Sequence, residues 1–164
     1  MILRCPARLL KLLGVRAVLL EDVKPAETDW YANLFRLDRR TCLLLTQADT
    51  LFTVLEANVK RADLMPVGSA VVTLIERELR AEGLPTDTFG RLDPSAVQVA
   101  KTADRSVLGC MTDNTFLCRY EVAAKRGLAH TDLAALNRAL RRNIHAPRGY
   151  ARPIELAAQL ISRV

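Results

Sequence analysis

Six apolar residues, Leu64, Val67, Val71, Val72, Ile75 and Leu79, recur at helical spacing and predict one helix over residues 63–81. Glu76 and Arg80 pair at i, i+4 outside that stripe, Pro66 falls in its first turn, and Gly83 with Pro85 ends it. Upstream the period is two. Alternation over residues 30–37 puts Trp30, Ala32, Leu34 and Arg36 on one face, and Tyr31, Asn33, Phe35 and Leu37 on the other. Asp38-Arg39-Arg40 turns the chain into the continuous apolar run 41–46. Gln47-Ala48-Asp49 turns it again into residues 50–55. Short strands joined by tight polar turns predict an antiparallel meander over residues 30–55.

Two more strands are expected near residues 1–4 and 96–101. Pro6 suits the first turn of a helix to Leu13 that Gly14 closes, and Asp104 can cap a helix starting at Arg105. Gly109 and the Asp113-Asn114 pair are points where that second helix could divide. Thr131 is expected to cap a helix carrying Leu133, Leu136, Leu140 and Ile144 on one face. A last helix from Pro153 presents Ile154, Leu156, Leu160 and Ile161. The expected class is α+β, a small, mainly antiparallel sheet covered by helices. No repeat, low-complexity segment or long linker divides the chain, so residues 1–164 read as one domain.

Charge changes this picture at one end. The net charge is +6, but residues 1–118 hold 15 basic and 15 acidic side chains, whereas residues 119–164 hold 9 and 3. A basic helical C-terminal part from about residue 119 therefore carries the whole excess, which points to a polyanion, either nucleic acid or an acidic protein. The bland alternative is a solvated basic face without a partner. The longest uncharged stretch, residues 64–75, is too short to span a membrane, and no membrane partner is expected. Arg4, Arg8, Lys11 and Arg16 interrupt any signal-peptide core, although Leu9, Leu10 and Leu13 would also share a face of an amphipathic targeting helix. Cys5, Cys42, Cys110 and Cys118 form no CxxC pair and no zinc-ligand spacing with His130 or His145. Reduced thiols, no metal, no cofactor and a cytoplasmic location are expected.

The strings Met1-Ile2-Leu3-Arg4-Cys5, Trp30-Tyr31-Ala32-Asn33-Leu34, Asp38-Arg39-Arg40-Thr41-Cys42, Thr50-Leu51-Phe52 and the stretch Lys101 to Gly109 together resemble one bacterial family. That family is described only as a domain of unknown function, sometimes fused to a plasmid-type open-reading-frame domain. The resemblance covers most of the chain, and its WYAN and KTxxRSVLG strings are fairly specific. Pro6 replaces the hydroxyl residue expected there, which bears on helix capping. The resemblance implies a one-domain bacterial protein and brings no reaction, substrate or cofactor.

Three clusters carry candidate chemistry. Lys101, Thr102, Arg105 and Ser106 set two cations and two hydroxyls beside a helix N-terminus, a combination suited to a phosphate or carboxylate. Asp104 or Asp113 would serve as the internal counter-ion instead if the loop is structural. Arg138, Arg141, Arg142 and His145 fall at spacings of 3, 4 and 7, and Arg148 and Arg152 extend that surface. Phosphate contacts there would give affinity without base specificity. A helix-turn-helix over residues 131–162 would need an unusually long connection through Ala146-Pro147-Arg148-Gly149. Trp30, Tyr31, Asn33 and Arg36 would suit base stacking if exposed, and the core if not.

These clusters lead to a polyanion-binding module that uses the basic C-terminal helix. Two alternatives stand beside it. One is an enzyme acting on a phosphate-bearing substrate at the Lys101–Ser106 loop, nuclease-like, with His145, Lys101 and Arg105 as its catalytic candidates. The other is a ligand-free protein-interaction subunit.

Overall fold

The structure, a computed structural model, describes residues 1–162. Arg163, one of the basic residues counted in the last quarter, lies outside them. Five strands form one mixed sheet in the order β4-β3-β2-β1-β5. They are β1 (Ile2–Cys5), β2 (Trp30–Leu37), β3 (Arg40–Gln47), β4 (Thr53–Glu56) and β5 (Gln98–Lys101). The expected meander is present: β2, β3 and β4 are antiparallel neighbours and contain most of the paired residues. β1 lies parallel to both β2 and β5. The class is α+β, with helices α1 (Ala7–Leu13), α2 (Val67–Ala81), α3 (Arg105–Ala124), α4 (Leu133–Leu140) and α5 (Pro153–Ile161).

Alternation along β2 sends side chains into two cores, one on each face of the sheet. Trp30, Ala32 and Leu34 join Leu43, Leu45, Leu9, Leu13, Ile75 and Leu79 on the side of α1 and α2. Tyr31, Phe35 and Leu37 join Cys42, Leu44, Val107, Met111, Cys118 and Leu136 on the side of α3 and α4. A central strand covered on both faces is apolar throughout, which accounts for the run Cys42-Leu43-Leu44-Leu45.

Several expected boundaries move for physical reasons. Leu64 belongs to a 3₁₀ turn, and α2 starts only after Pro66, whose ring disfavours helical backbone in the residue before it. α3 runs unbroken through Gly109 and Asp113-Asn114, because its buried set Val107, Cys110, Met111, Asn114, Cys118 and Val122 keeps helical spacing. Asp132, not Thr131, caps α4 by accepting from the Ala135 N–H, while the Thr131 hydroxyl donates to the Gly127 carbonyl. Pro6 at the start of α1 makes no side-chain cap. The third meander strand begins at Thr53, since Gln47 Oε1 takes both the backbone N–H and the hydroxyl of Thr50 and bends the chain there. α5 meets the core through Ala157 rather than through Ile161, which is exposed.

The outer edge of β4 is closed by side chains. The Asn137 amide accepts from the Leu55 N–H at 2.7 Å and donates to the Leu55 carbonyl at 2.9 Å, as a paired strand would. That occupies the template for edge-to-edge association.

Candidate functional site

The C-terminal arginine cluster does not form one exposed face. α4 ends at Leu140, so the helical spacing that groups Arg138 with Arg141, Arg142 and His145 stops before the last three. Arg141 is fully buried. Its Nε donates to Glu82 at 2.8 Å and its Nη1 to Glu78 at 2.9 Å, and Cζ lies 5.2 Å from the Phe52 ring centroid. Arg142 reaches both oxygens of the same Glu82, Arg148 donates to the Ala48 and Asp49 carbonyls, and Arg152 pairs with Glu155. Burial would raise the Glu82 carboxyl, but hydrogen bonds from Arg142 and Arg141 outweigh it and hold the group below its ordinary value. Of the arginines in this cluster, only Arg138 is exposed with no side-chain partner among the described residues. Leu136 and Leu140 are buried as their spacing predicts, whereas Ile144 is half exposed.

His145 is buried, and its Nε2 has no hydrogen-bond partner. Burial pushes the imidazole below its ordinary value, and Asp113 offsets part of that shift. The neutral ring is the folded form. Stability from this site should be fully present above about pH 6.5, the unfolded value, and be lost as pH falls from there through the lower folded value. His145→Leu should therefore flatten the dependence of the urea midpoint on pH below about 6.5. A slope unchanged in the variant would assign the acid sensitivity to another group.

At the Lys101–Ser106 loop the helix N–H groups and the Lys101 ammonium are already engaged. Asp104 accepts from the Ser106 and Val107 N–H groups at 2.7 and 3.3 Å, and its own N–H donates to the Tyr31 hydroxyl. Lys101 Nζ sits 3.3 Å from Asp22, and its carbonyl accepts from buried Arg4. The adjoining cavity, about 250 Å³, is lined by Arg4, Glu21, Asp22, Lys101 and Thr102 among others, so two carboxylates share it with the cations. Arg105 and Ser106 do not line it. Among the described residues, no hydrogen bond or ion pair joins this loop to His145. Trp30 and Tyr31 are both buried, Trp30 edge-on to Phe89, so neither offers a stacking surface.

Free cationic surface lies elsewhere, at the tip of the β2–β3 hairpin. Asp38 and Arg39 both have positive φ, the backbone of a two-residue hairpin loop whose twist matches the strands. The loop and the strand ends beside it hold three arginines, Arg36, Arg39 and Arg40, at one end of the sheet. On the α1 side of the tip, Arg8, Lys11, Leu12, Leu34, Thr41 and Arg61 line a cleft of about 460 Å³. Arg8 and Lys11 project from successive turns of α1. Arg61 comes from the 3₁₀ turn Arg61–Leu64 and passes against Gly14, where a Cβ would lie 3.7 Å from its Nη2. No carboxylate lines this cleft, and none pairs with these three cations among the described residues.

On the α3 side, Arg36, Arg119 and Arg126 line a second cleft of about 360 Å³ together with Leu37, Asp38, Val122, Ala123 and Gly127. Its one carboxylate, Asp38, accepts from the Leu128 N–H through Oδ2. Sequence reasoning missed Arg8, Lys11 and Arg61 because no local pattern joins them. Arg119 and Arg126 carried a signal, since both fall in the basic last quarter.

The buried thiols are poor nucleophiles, with burial pushing Cys5 and Cys118 up to about 12. No helix of the described residues is long and apolar enough to cross a membrane. No curated protein matches the chain. Residues 2–156 match the family described as Domain of unknown function (DUF6933), and the chain belongs to that family.

Proposed function

We propose that the protein binds phosphate-bearing polyanions across the end of its sheet, around the β2–β3 hairpin. The observation that carries this reading is the convergence of Arg8, Lys11 and Arg61 on a cleft with no carboxylate. Like charges held together without internal compensation repel one another, and an anionic ligand turns that repulsion into attraction. Arg36, Arg39 and Arg40 extend the cationic surface over the tip to the cleft beside α3, so a polyanion can be followed from one face to the other. Arginine forks suit phosphate oxygens in two-point contacts.

The reading moves the binding surface from the C-terminal helix to the hairpin end, since Arg141 and Arg142 are engaged with Glu82. An enzyme at the Lys101–Ser106 loop has less support, because Asp104 occupies the helix N–H groups and, among the described residues, no hydrogen bond or ion pair links His145 to the loop.

The test is a salt-dependent titration of generic RNA, single-stranded DNA and duplex DNA against the parent protein and the Arg8→Gln, Lys11→Gln, Arg61→Gln triple variant. The parent should bind at low salt. The variant should bind more weakly, its log–log salt slope reduced by about 0.7 per lost contact on a single strand and about 0.9 on a duplex. No binding by the parent, or an unchanged slope in the variant, would overturn the proposal.

A further inference from the structure

We infer that the outer face of α3 is a base-stacking surface, and that the polyanion it selects is single-stranded nucleic acid. This inference rests on the polyanion-binding reading above and adds the class of ligand. Phe116 and Tyr120 are 60% and 71% exposed, one helical turn apart on the side of α3 opposite its buried set. Arg119 lies between them, with Cζ 5.9 Å from the Phe116 ring centroid. Phe116, Arg119, Tyr120 and Ala123 follow the 3, 4, 7 spacing of a single helical stripe, and Arg119 and Ala123 also line the cleft that holds Arg36 and Arg126. Two open aromatic rings therefore run directly into a cationic cleft.

That combination matches what a single strand offers. Its bases are unpaired and present π-faces to aromatic rings, while its phosphates follow a basic groove. The two ring positions are separated by roughly 6 Å along the helix axis, so each ring can take a different base. A duplex hides its base faces and would use only the cations. A protein partner would need a continuous apolar centre. Along α3 the other exposed residues three or four positions from the rings are Thr112, Asp113, Arg119, Ala123 and Ala124, with no aliphatic side chain larger than alanine among them.

The test uses the full chain with fluorescently labelled oligouridylate, and inorganic polyphosphate as a probe with charge but no bases. Phe116→Ala and Tyr120→Ala, singly and together, remove exposed rings, and circular dichroism checks that each variant is folded. Each ring lost should weaken oligouridylate binding at least about fivefold. Polyphosphate binding and the salt slope should stay unchanged. The Arg8→Gln, Lys11→Gln, Arg61→Gln variant should instead weaken both probes. If polyphosphate binds the parent and the double aromatic variant holds oligouridylate as tightly as the parent, the stacking inference is overturned while the polyanion reading stands. The aromatic face would then fit a protein partner. If the parent binds neither probe, both readings fall.

Discussion

Replacing Arg141 by Met should destabilise the fold by about 3 kcal/mol, measured as a shift of the urea midpoint at neutral pH with an unchanged slope. Methionine keeps most of the length and apolar stem, so the loss is chiefly electrostatic. The Glu78 and Glu82 side chains are only 8% and 3% exposed, and removing the cation leaves two carboxylates in a poorly solvated space between α2, β4 and α4. Breaking a buried pair from one side costs about 3–5 kcal/mol. Here the lower end applies, because Arg77 still reaches Glu78 and Arg142 still reaches Glu82, both from half-exposed positions. Adding Glu78→Gln should recover part of the loss.

The same network makes the protein acid-sensitive. Glu82 is held below its ordinary value, so its contribution is present above the unfolded pKa of about 4.5 and is lost as pH falls through the lower folded value. Arg141→Met should reduce that acid dependence as well as the neutral-pH stability. A loss below about 1 kcal/mol would show that the surrounding arginines, not Arg141, neutralise the pair.

The fate of Arg141 shows where local pattern stops being informative. Spacing correctly grouped Leu136 and Leu140 as buried, but extending the same period to Arg141, Arg142 and His145 assumed a helix that ends at Leu140. A signal for the buried pair was present on α2. Ile75, Glu78, Leu79 and Glu82 share a face, and two acids beside core residues call for a cation, though nothing nearby in sequence names Arg141 as that cation. Sheet order in the meander was legible because alternation and turn residues are local. The insertion of β1 between β2 and β5 was not, since parallel neighbours are joined by long crossovers.

The candidate surface divides in the same way. Phe116 and Tyr120 are out of phase with the buried stripe of α3, and that was readable once Gly109 and Asp113-Asn114 are taken as interior to one helix. Convergence of Arg8 and Lys11 with Arg61 depends on how α1 packs against the sheet, and no sequence period encodes it.

The largest effect is expected at Arg4. This side chain is 2% exposed on the interior strand β1, and all of its partners are internal. Nε donates to Asp29 at 2.5 Å, Nη1 to the Lys101 carbonyl at 3.0 Å, and Nη2 to the Val23 and Lys24 carbonyls at 3.0 and 2.8 Å. One guanidinium thus ties β1 to the end of β5 and to the exposed polar segment before β2. Arg4→Met would leave Asp29 buried with no other cation and three carbonyls without their donor, so the cost should reach about 5 kcal/mol, the upper end for a buried pair broken from one side. Arg4→Lys should recover little, because an ammonium cannot reproduce the planar fork that serves a carboxylate and three carbonyls. Arg4→Met with Asp29→Asn should be more stable than Arg4→Met alone, since the buried charge is gone. Urea midpoints of the three variants test the ranking. Limited proteolysis should also cut the segment 21–28 of Arg4→Met faster than that of the parent, because the carbonyl contacts at Val23 and Lys24 are two of its anchors to the sheet, beside Asp22–Lys101 and Gln47–Glu27. Equal midpoints for parent and Arg4→Met would mean that solvent reaches Asp29 and replaces the guanidinium.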